Sequence, residues 1–182
     1  MARPLELSVR DLRALVDYNR AVFDRFARRV RRLPLDAAMK RRGTGHESLF
    51  QTLVHILNVQ EVWWVYILRG RTSDAELEAL FQEAARKPTD WKGFDRYRRR
   101  VWAGVDETLS ALTPARLGAR VSVFWMPGRY TVRDGALQTT FEEAHHLGEI
   151  IGALWQDDIE PPAMTWIDVR RAAERSARRR PR

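Results

Sequence analysis

Proline and glycine punctuate this chain at positions that leave little room for anything but long helices. Pro34, Gly70, Pro88, Pro114 and the Pro161-Pro162 pair each come after a stretch whose apolar residues recur at intervals of three and four. Proline bars the residue before it from helical backbone, so these breakers bracket helices rather than interrupt them. The first stretch runs from Val9 to about Arg32, with Leu12, Val16, Phe23, Phe26 and Val30 on one stripe. The second runs from Ser48 to about Arg69; Ser48 and Gln51 have capping-box spacing, and the apolar density beyond them marks a central helix. A short acidic helix comes next, opened by Ser73 and Glu76 and ending near Lys87, and a third long helix spans about Trp91 to Leu112. The fourth starts at Thr131 or Asp134 and reaches about Trp155.

One segment breaks the helical period. In RVSVFWMPGRYTV, Val121, Val123 and Trp125 alternate, and Pro127-Gly128 is a turn signal, which predicts a β-hairpin over about residues 120 to 132. The expected fold class is therefore mostly α: a four-helix bundle with a small β-hairpin inserted before the last long helix. Residues 1–168 are expected to form that one domain, and residues 169–182 a basic, Arg-rich tail.

Composition narrows the chemistry. The 182 residues include no cysteine, which excludes disulfides, thiolate metal sites and a cysteine nucleophile, so any metal must take nitrogen and oxygen ligands. The longest apolar run, Val62 to Leu68, is far short of a membrane span, and no signal-peptide core is visible near Met1, so the expected location is cytoplasmic. Much of the formal charge of +8 sits in Arg170 to Arg182, which carries seven arginines against Glu174. No recognition module accompanies that tail, so nucleic acid is not an expected partner.

The chemistry-bearing run is TTFEEAHHLGEIIGALW, residues 139 to 155, which holds two of the chain's four histidines. Projected on a helix, Leu137, Phe141, Ala144, Gly148, Ile151 and Trp155 form an apolar seam expected to face the core, and Gln138, Glu142, His145, His146 and Glu149 lie opposite. A polar face in solvent accounts for that pattern. On the second helix, however, His55 also lies on the more polar side, with Gln51, Thr52 and Asn58. If the two polar sides face each other, they line a wet cleft suited to a metal. Glu142 and His146 are four apart and point the same way, as do His145 and Glu149, and the two pairs diverge by about 100°, so at most one serves a single ion. With His55, such a pair gives three protein ligands and leaves positions open for water or substrate.

These residues carry a family likeness. SLFQTLVHILNVQEVWW resembles the second helix of the DinB/YfiT-like superfamily of metal-dependent four-helix bundle proteins, and EEAHHLGEI is similar to its fourth-helix motif. The resemblance covers about residues 8 to 168. It implies a divalent ion held by one histidine on the second helix and two ligands at i and i+4 on the fourth, which become His55, Glu142 and His146. The middle position, usually histidine, is glutamate here; a carboxylate adds negative charge and favours harder ions. The resemblance further implies zinc or nickel, with manganese or iron also accepted. Glu149 stands where the family has a polar residue, His145 falls outside the ligand set, and His46 is taken as an exposed loop residue.

The activity implied is that of a metal-dependent hydrolase or thiol transferase, acting on a small-molecule substrate with water or a low-molecular-weight thiol as nucleophile. Trp63, Tyr66, Trp125, Arg129 and Tyr130 are candidates for a cleft wall. A homodimer is implied as well. The contrasting expectation is a non-catalytic, stress-related bundle with a degenerate metal site that acts as a binding or dimerisation module.

Overall fold

The computed structural model describes residues 6–43, 46–70, 73–82 and 87–171. The chain is mostly helical, and the breakers fall where the helices end. Helix α1 (Val9–Val30) opens with a capping box in which Ser8 and Asp11 satisfy each other's backbone amides. A short α2 (Leu35–Met39) comes after Pro34. Helix α3 (Leu49–Gln60) is capped by the Ser48 hydroxyl and continues without a break into a π-helical segment, Glu61–Ile67, where the Leu68 amide reaches back to the Trp63 carbonyl at 2.8 Å. The acidic α4 (Asp74–Gln82), α5 (Trp91–Ala111) and a one-turn α6 (Pro114–Leu117) come next. The Ser73–Glu76 bonds form at the start of α4 as the spacing predicts. Helix α7 (Val132–Gln156) is capped by Thr131 and Asp134 together.

The antiparallel hairpin lies just before this last long helix, with β1 (Arg120–Val123) paired to β2 (Met126–Thr131). Its turn is not at Pro127-Gly128. Arg120 pairs with Thr131 and Val121 with Tyr130, but Val123 pairs with Met126, so the chain reverses at Phe124-Trp125 and Pro127-Gly128 sit in an irregularity of β2. A proline that cannot donate and a glycine at φ 128° suit a bulge on an edge strand as well as they suit a turn.

Helix α3 with its π continuation is the spine, packing against α1, α5 and α7. It is buried nearly all round, from Leu49, Phe50 and Leu53 through Ile56 and Leu57 to Trp64 and Leu68. Phe23 of α1 and Phe94 and Trp102 of α5 close the core on the other side. The basic tail lies mostly outside the described residues; within them, Val169 is buried against the core.

Helix α7 does not sit as the projection expected. Its inward face is Val132, Ala136, Thr139, Glu143, His146, Leu147, Ile150 and Leu154, whereas Phe141 is 62% and Trp155 57% exposed, and Ala144 and Gly148 also face outward. Two stripes on this helix have helical spacing, and the large aromatics weighted the projection toward the wrong one. The deciding contact is at the N-terminal end. A Cβ at Gly135 would stand 2.7 Å from Leu68 Cδ2 and 2.9 Å from Trp63 Cζ3, so glycine there lets α7 close on the spine. Gly135→Ala should therefore cost about 1–3 kcal/mol through overpacking, read as a lower urea midpoint with unchanged m. Gly148→Ala, with nothing within 4 Å of its would-be Cβ, should not destabilise.

Candidate metal centre

The site is assembled from a turn and two helices. Ser48 starts α3, and His55 lies about two turns further on, on the side that meets α7. Ahead of the cap, Glu47 adopts a left-handed φ of 64°, and the Ser48 amide donates to the His46 carbonyl at 2.7 Å. This tight turn folds His46 back over the helix, so its ring stacks on His55 with centroids 3.6 Å apart and planes at 20°. His146 arrives from α7 edge-on, its ring centroid 4.5 Å from His55 and 4.9 Å from His46. The three imidazoles each offer a nitrogen within 4.8 Å of the others. His46 is thus half-buried in the cluster, not an exposed loop residue.

The acids on α7 order the site around His146. Its Nδ1 lies 2.8 Å from Glu149 Oε2, which fixes the ring plane, and its Nε2 lies 3.4 Å from Glu142 Oε2. Gln138 Nε2 holds the other Glu142 oxygen at 2.7 Å. His145 turns outward, with 68% of its side chain exposed; it reaches the far oxygen of Glu149 at 3.9 Å, and its ring centroid lies 4.9 Å from that of His146. His145, His146 and Glu149 make a second group of close donors, running from the exposed His145 to the buried His146.

Burial, reinforced by His46, His146 and the Lys87 ammonium, pushes His55 down to about 3. His46 is also lowered, chiefly by burial and then by His146. Both rings are therefore neutral in the physiological range, with lone pairs free for coordination. Two donors about 2.1 Å from one tetrahedral ion stand about 3.4 Å apart, so the cluster needs only small side-chain adjustments to close on a metal. The donor set fits a divalent ion of borderline softness. The cluster opens onto a cavity of about 360 Å³ lined by His46, His55, Gln51, Asn58 and Lys87 among others. Trp63, Tyr66, Trp125, Arg129 and Tyr130 do not line it. Trp63 packs edge-on against Trp125, and the Tyr130 hydroxyl donates to the Pro127 carbonyl, so Trp125 and Tyr130 serve the hairpin.

Below the imidazoles lies a carboxyl that helical patterning does not single out. Glu143 is 1% exposed, accepts a hydrogen bond from Gln60 Nε2 at 2.9 Å, and leaves its Oε1 unpartnered. Burial pushes it up to about 8, with Asp24 of α1 adding to the effect and Gln60 opposing it. Nothing in a helical EE pair marks which glutamate is inward. The folded protein keeps the Glu143 proton to about pH 8, whereas an unfolded glutamate releases it near 4.5. Stability from this group is therefore full at low pH and is lost as pH rises from about 4.5 to 8, at up to about 1.4 kcal/mol per pH unit. His55 acts oppositely below its ordinary 6.5, so the two slopes oppose each other there and the Glu143 effect stands alone between 6.5 and 8. Chemical denaturation across that window should show falling stability in the parent protein and a flatter profile in Glu143→Gln.

Comparison with protein families matches residues 18–150 to the DinB superfamily. Comparison with curated proteins finds no match.

Proposed function

We propose that this chain, which belongs to the DinB superfamily, is a divalent-metal protein whose four long helices form a bundle around a metal-dependent enzyme site. The observation that carries the reading is the convergence of His46, His55 and His146 from a turn and two helices onto one point beside a cavity. Glu142 completes the donor set, because its Oε2 stands 3.4 Å from His146 Nε2, the spacing of two donors on one ion. Three nitrogens and one carboxylate suit nickel, manganese or iron, which accept further ligands, better than zinc, which four protein donors would fill.

When bound, such an ion supplies Lewis acidity that lowers the pKa of a water or thiol brought beside it. The protein does the rest. Glu149 orients His146 through Nδ1 and so aims Nε2 at the site. Gln138 holds Glu142 by one oxygen and leaves the other turned toward the cluster as a donor. Gln51 and Asn58 offer polar groups along the cavity wall to position a small substrate. The reaction is thus hydrolysis by water or transfer to a low-molecular-weight thiol.

The test is metal analysis and nickel, manganese and zinc titration of protein made without a histidine tag. The parent protein should bind one divalent ion per chain. His55→Ala and His146→Ala should each weaken binding at least 100-fold, and Glu149→Ala about 10–100-fold by releasing the His146 ring. Glu142→Ala should reduce occupancy, and Glu142→His should keep it for nickel or zinc. His145→Ala should bind as the parent does; equal losses from His145→Ala and His146→Ala would overturn the assignment.

A further inference from the structure

The segment that comes after α7 folds back along the outer side of α1. Arg29 Nε donates to the Glu160 carbonyl at 3.0 Å, Arg25 Nη1 to the Ala163 carbonyl at 3.2 Å, and the Tyr18 hydroxyl to the Met164 carbonyl. The Trp166 ring then packs on Tyr18 at 5.0 Å, residues 166–171 are helical, and Val169 is buried. Between this segment and α1 lies a cavity of about 620 Å³ that shares no lining residue with the one beside the imidazoles. Ala14, Tyr18, Ala21 and Val169 give it an apolar floor. Arg10, Arg13, Arg25, Arg28 and Arg170 stand around that floor against two acids, Asp17 and Asp24, and Asp24 is already paired with Arg98 of α5.

The order of the contacts places the charges. The segment runs antiparallel to α1, with residue 160 beside Arg29, residue 163 beside Arg25 and residues 164–166 beside Tyr18, so Arg170 lies toward the Arg10–Arg13 end. Among the described residues, none of Arg10, Arg13 and Arg170 has an ion pair or hydrogen bond. Three unpartnered guanidinium groups at one end of a concave apolar floor repel one another and focus a positive field there. An oxyanion relieves that repulsion, and guanidinium forks bind carboxylate and phosphate through paired hydrogen bonds. We propose that this cavity binds a small organic acid, its oxyanion held by Arg10, Arg13 and Arg170 and its apolar body laid on Ala14, Tyr18, Ala21 and Val169.

The cavity has the size of a small-molecule site, about 300–1,000 Å³, and the make-up of one, an apolar lining with a few convergent polar groups. Other occupants fit less well. Along α1, Asp17 and Asp24 lie between Arg13 and Arg28, where they would face a continuous line of phosphates, so a nucleic-acid backbone is disfavoured. Residues 172–182 carry further arginines with Glu174 as their one acid, and like charge bars them from the arginine end. The site is built from α1 and the segment after α7, so it does not rest on the metal centre.

Isothermal titration of the full chain in the presence of a chelator tests it, with octanoate, octyl phosphate, inorganic phosphate and octyltrimethylammonium as probes. Octanoate or octyl phosphate should bind at one per chain and about 10-fold or more tightly than inorganic phosphate, which lacks the apolar body, or octyltrimethylammonium, which has the wrong charge. The tighter of the two octyl acids identifies the oxyanion as carboxylate or phosphate. Arg13→Gln and Arg170→Gln should each weaken binding about 10-fold. Ala14→Leu, which fills the floor without changing a charge, should weaken it similarly with unchanged helical circular dichroism, and His55→Ala should bind as the parent does. The proposal would be overturned if neither octyl acid bound more tightly than inorganic phosphate, or if binding survived both arginine variants or was indifferent to Ala14→Leu. Binding of an oligonucleotide in place of the octyl acids would overturn it too, by assigning the arginines to a phosphate backbone.

Discussion

Everything at the centre of this protein depends on the register between α3, with its π continuation, and α7. Three successive polar contacts step along the antiparallel pair. Trp64 Nε1 donates to Thr139 Oγ1 at 3.1 Å, Gln60 Nε2 donates to Glu143 Oε2 at 2.9 Å, and the His55 ring meets His146 at 4.5 Å. Each contact is buried or nearly so, and a slip of one turn would leave an indole N–H, a carboxamide and a carboxyl without partners. Unpaired buried polar groups cost about 1–3 kcal/mol apiece, so the ladder selects one register far more sharply than an apolar face would. The imidazoles of the candidate centre sit at the end of that ladder, and the separation of His55 and His146 is set by it.

The π segment belongs to the same argument. Where α3 passes from Gln60 into Glu61–Ile67, the wider turn leaves backbone groups that an α-helix would satisfy internally. The surroundings supply replacements: the Thr108 hydroxyl donates to the Trp64 carbonyl at 2.8 Å. Glu61, turned inward by the same widening, accepts from the Tyr97 hydroxyl at 2.9 Å and from Arg100 at 3.0 Å. Its charge and the loss of solvent push Tyr97 up, burial being the larger cause. The spine is thus tied to α5 on one side and to α7 on the other, and the histidines stand between two anchored elements.

Much of this was legible in the sequence, because the signals that govern helix ends are local. Ser48 and Ser73 cap as their spacing predicts, and of the two starts read for the last long helix Thr131 is its N-cap. The hairpin before the last helix was announced by a change of period. The features that escaped were set by tertiary contact. The turn that brings His46 over His55 rests on a left-handed Glu47, a conformation that glutamate rarely adopts and that no residue pattern announces. The hairpin reverses at Phe124-Trp125, although Pro127-Gly128 is the stronger turn signal. The orientation of α7 was decided by Gly135 against Trp63 and Leu68, a packing event between residues nearly seventy positions apart.

The inverted face of α7 carries a physical lesson about where polar residues are placed. A helix normally buries its greasier side, and here the interior side holds Thr139, Glu143 and His146 while Phe141 and Trp155 look outward. That inversion costs free energy in an isolated chain, since it buries groups that must be desolvated and leaves aromatic surface in water. The first cost would fall with a divalent ion at the proposed centre, which would give the imidazoles a partner in place of the lost hydration. Helix α7 therefore has two half-satisfied sides, and the polar one is tolerable within a single chain only because Gln60 and the protonated Glu143 neutralise its deepest point. A leucine at 143 would relieve that burial but leave Gln60 without its acceptor, so the gain in apolar packing would be offset by a new unpaired amide beside the histidines.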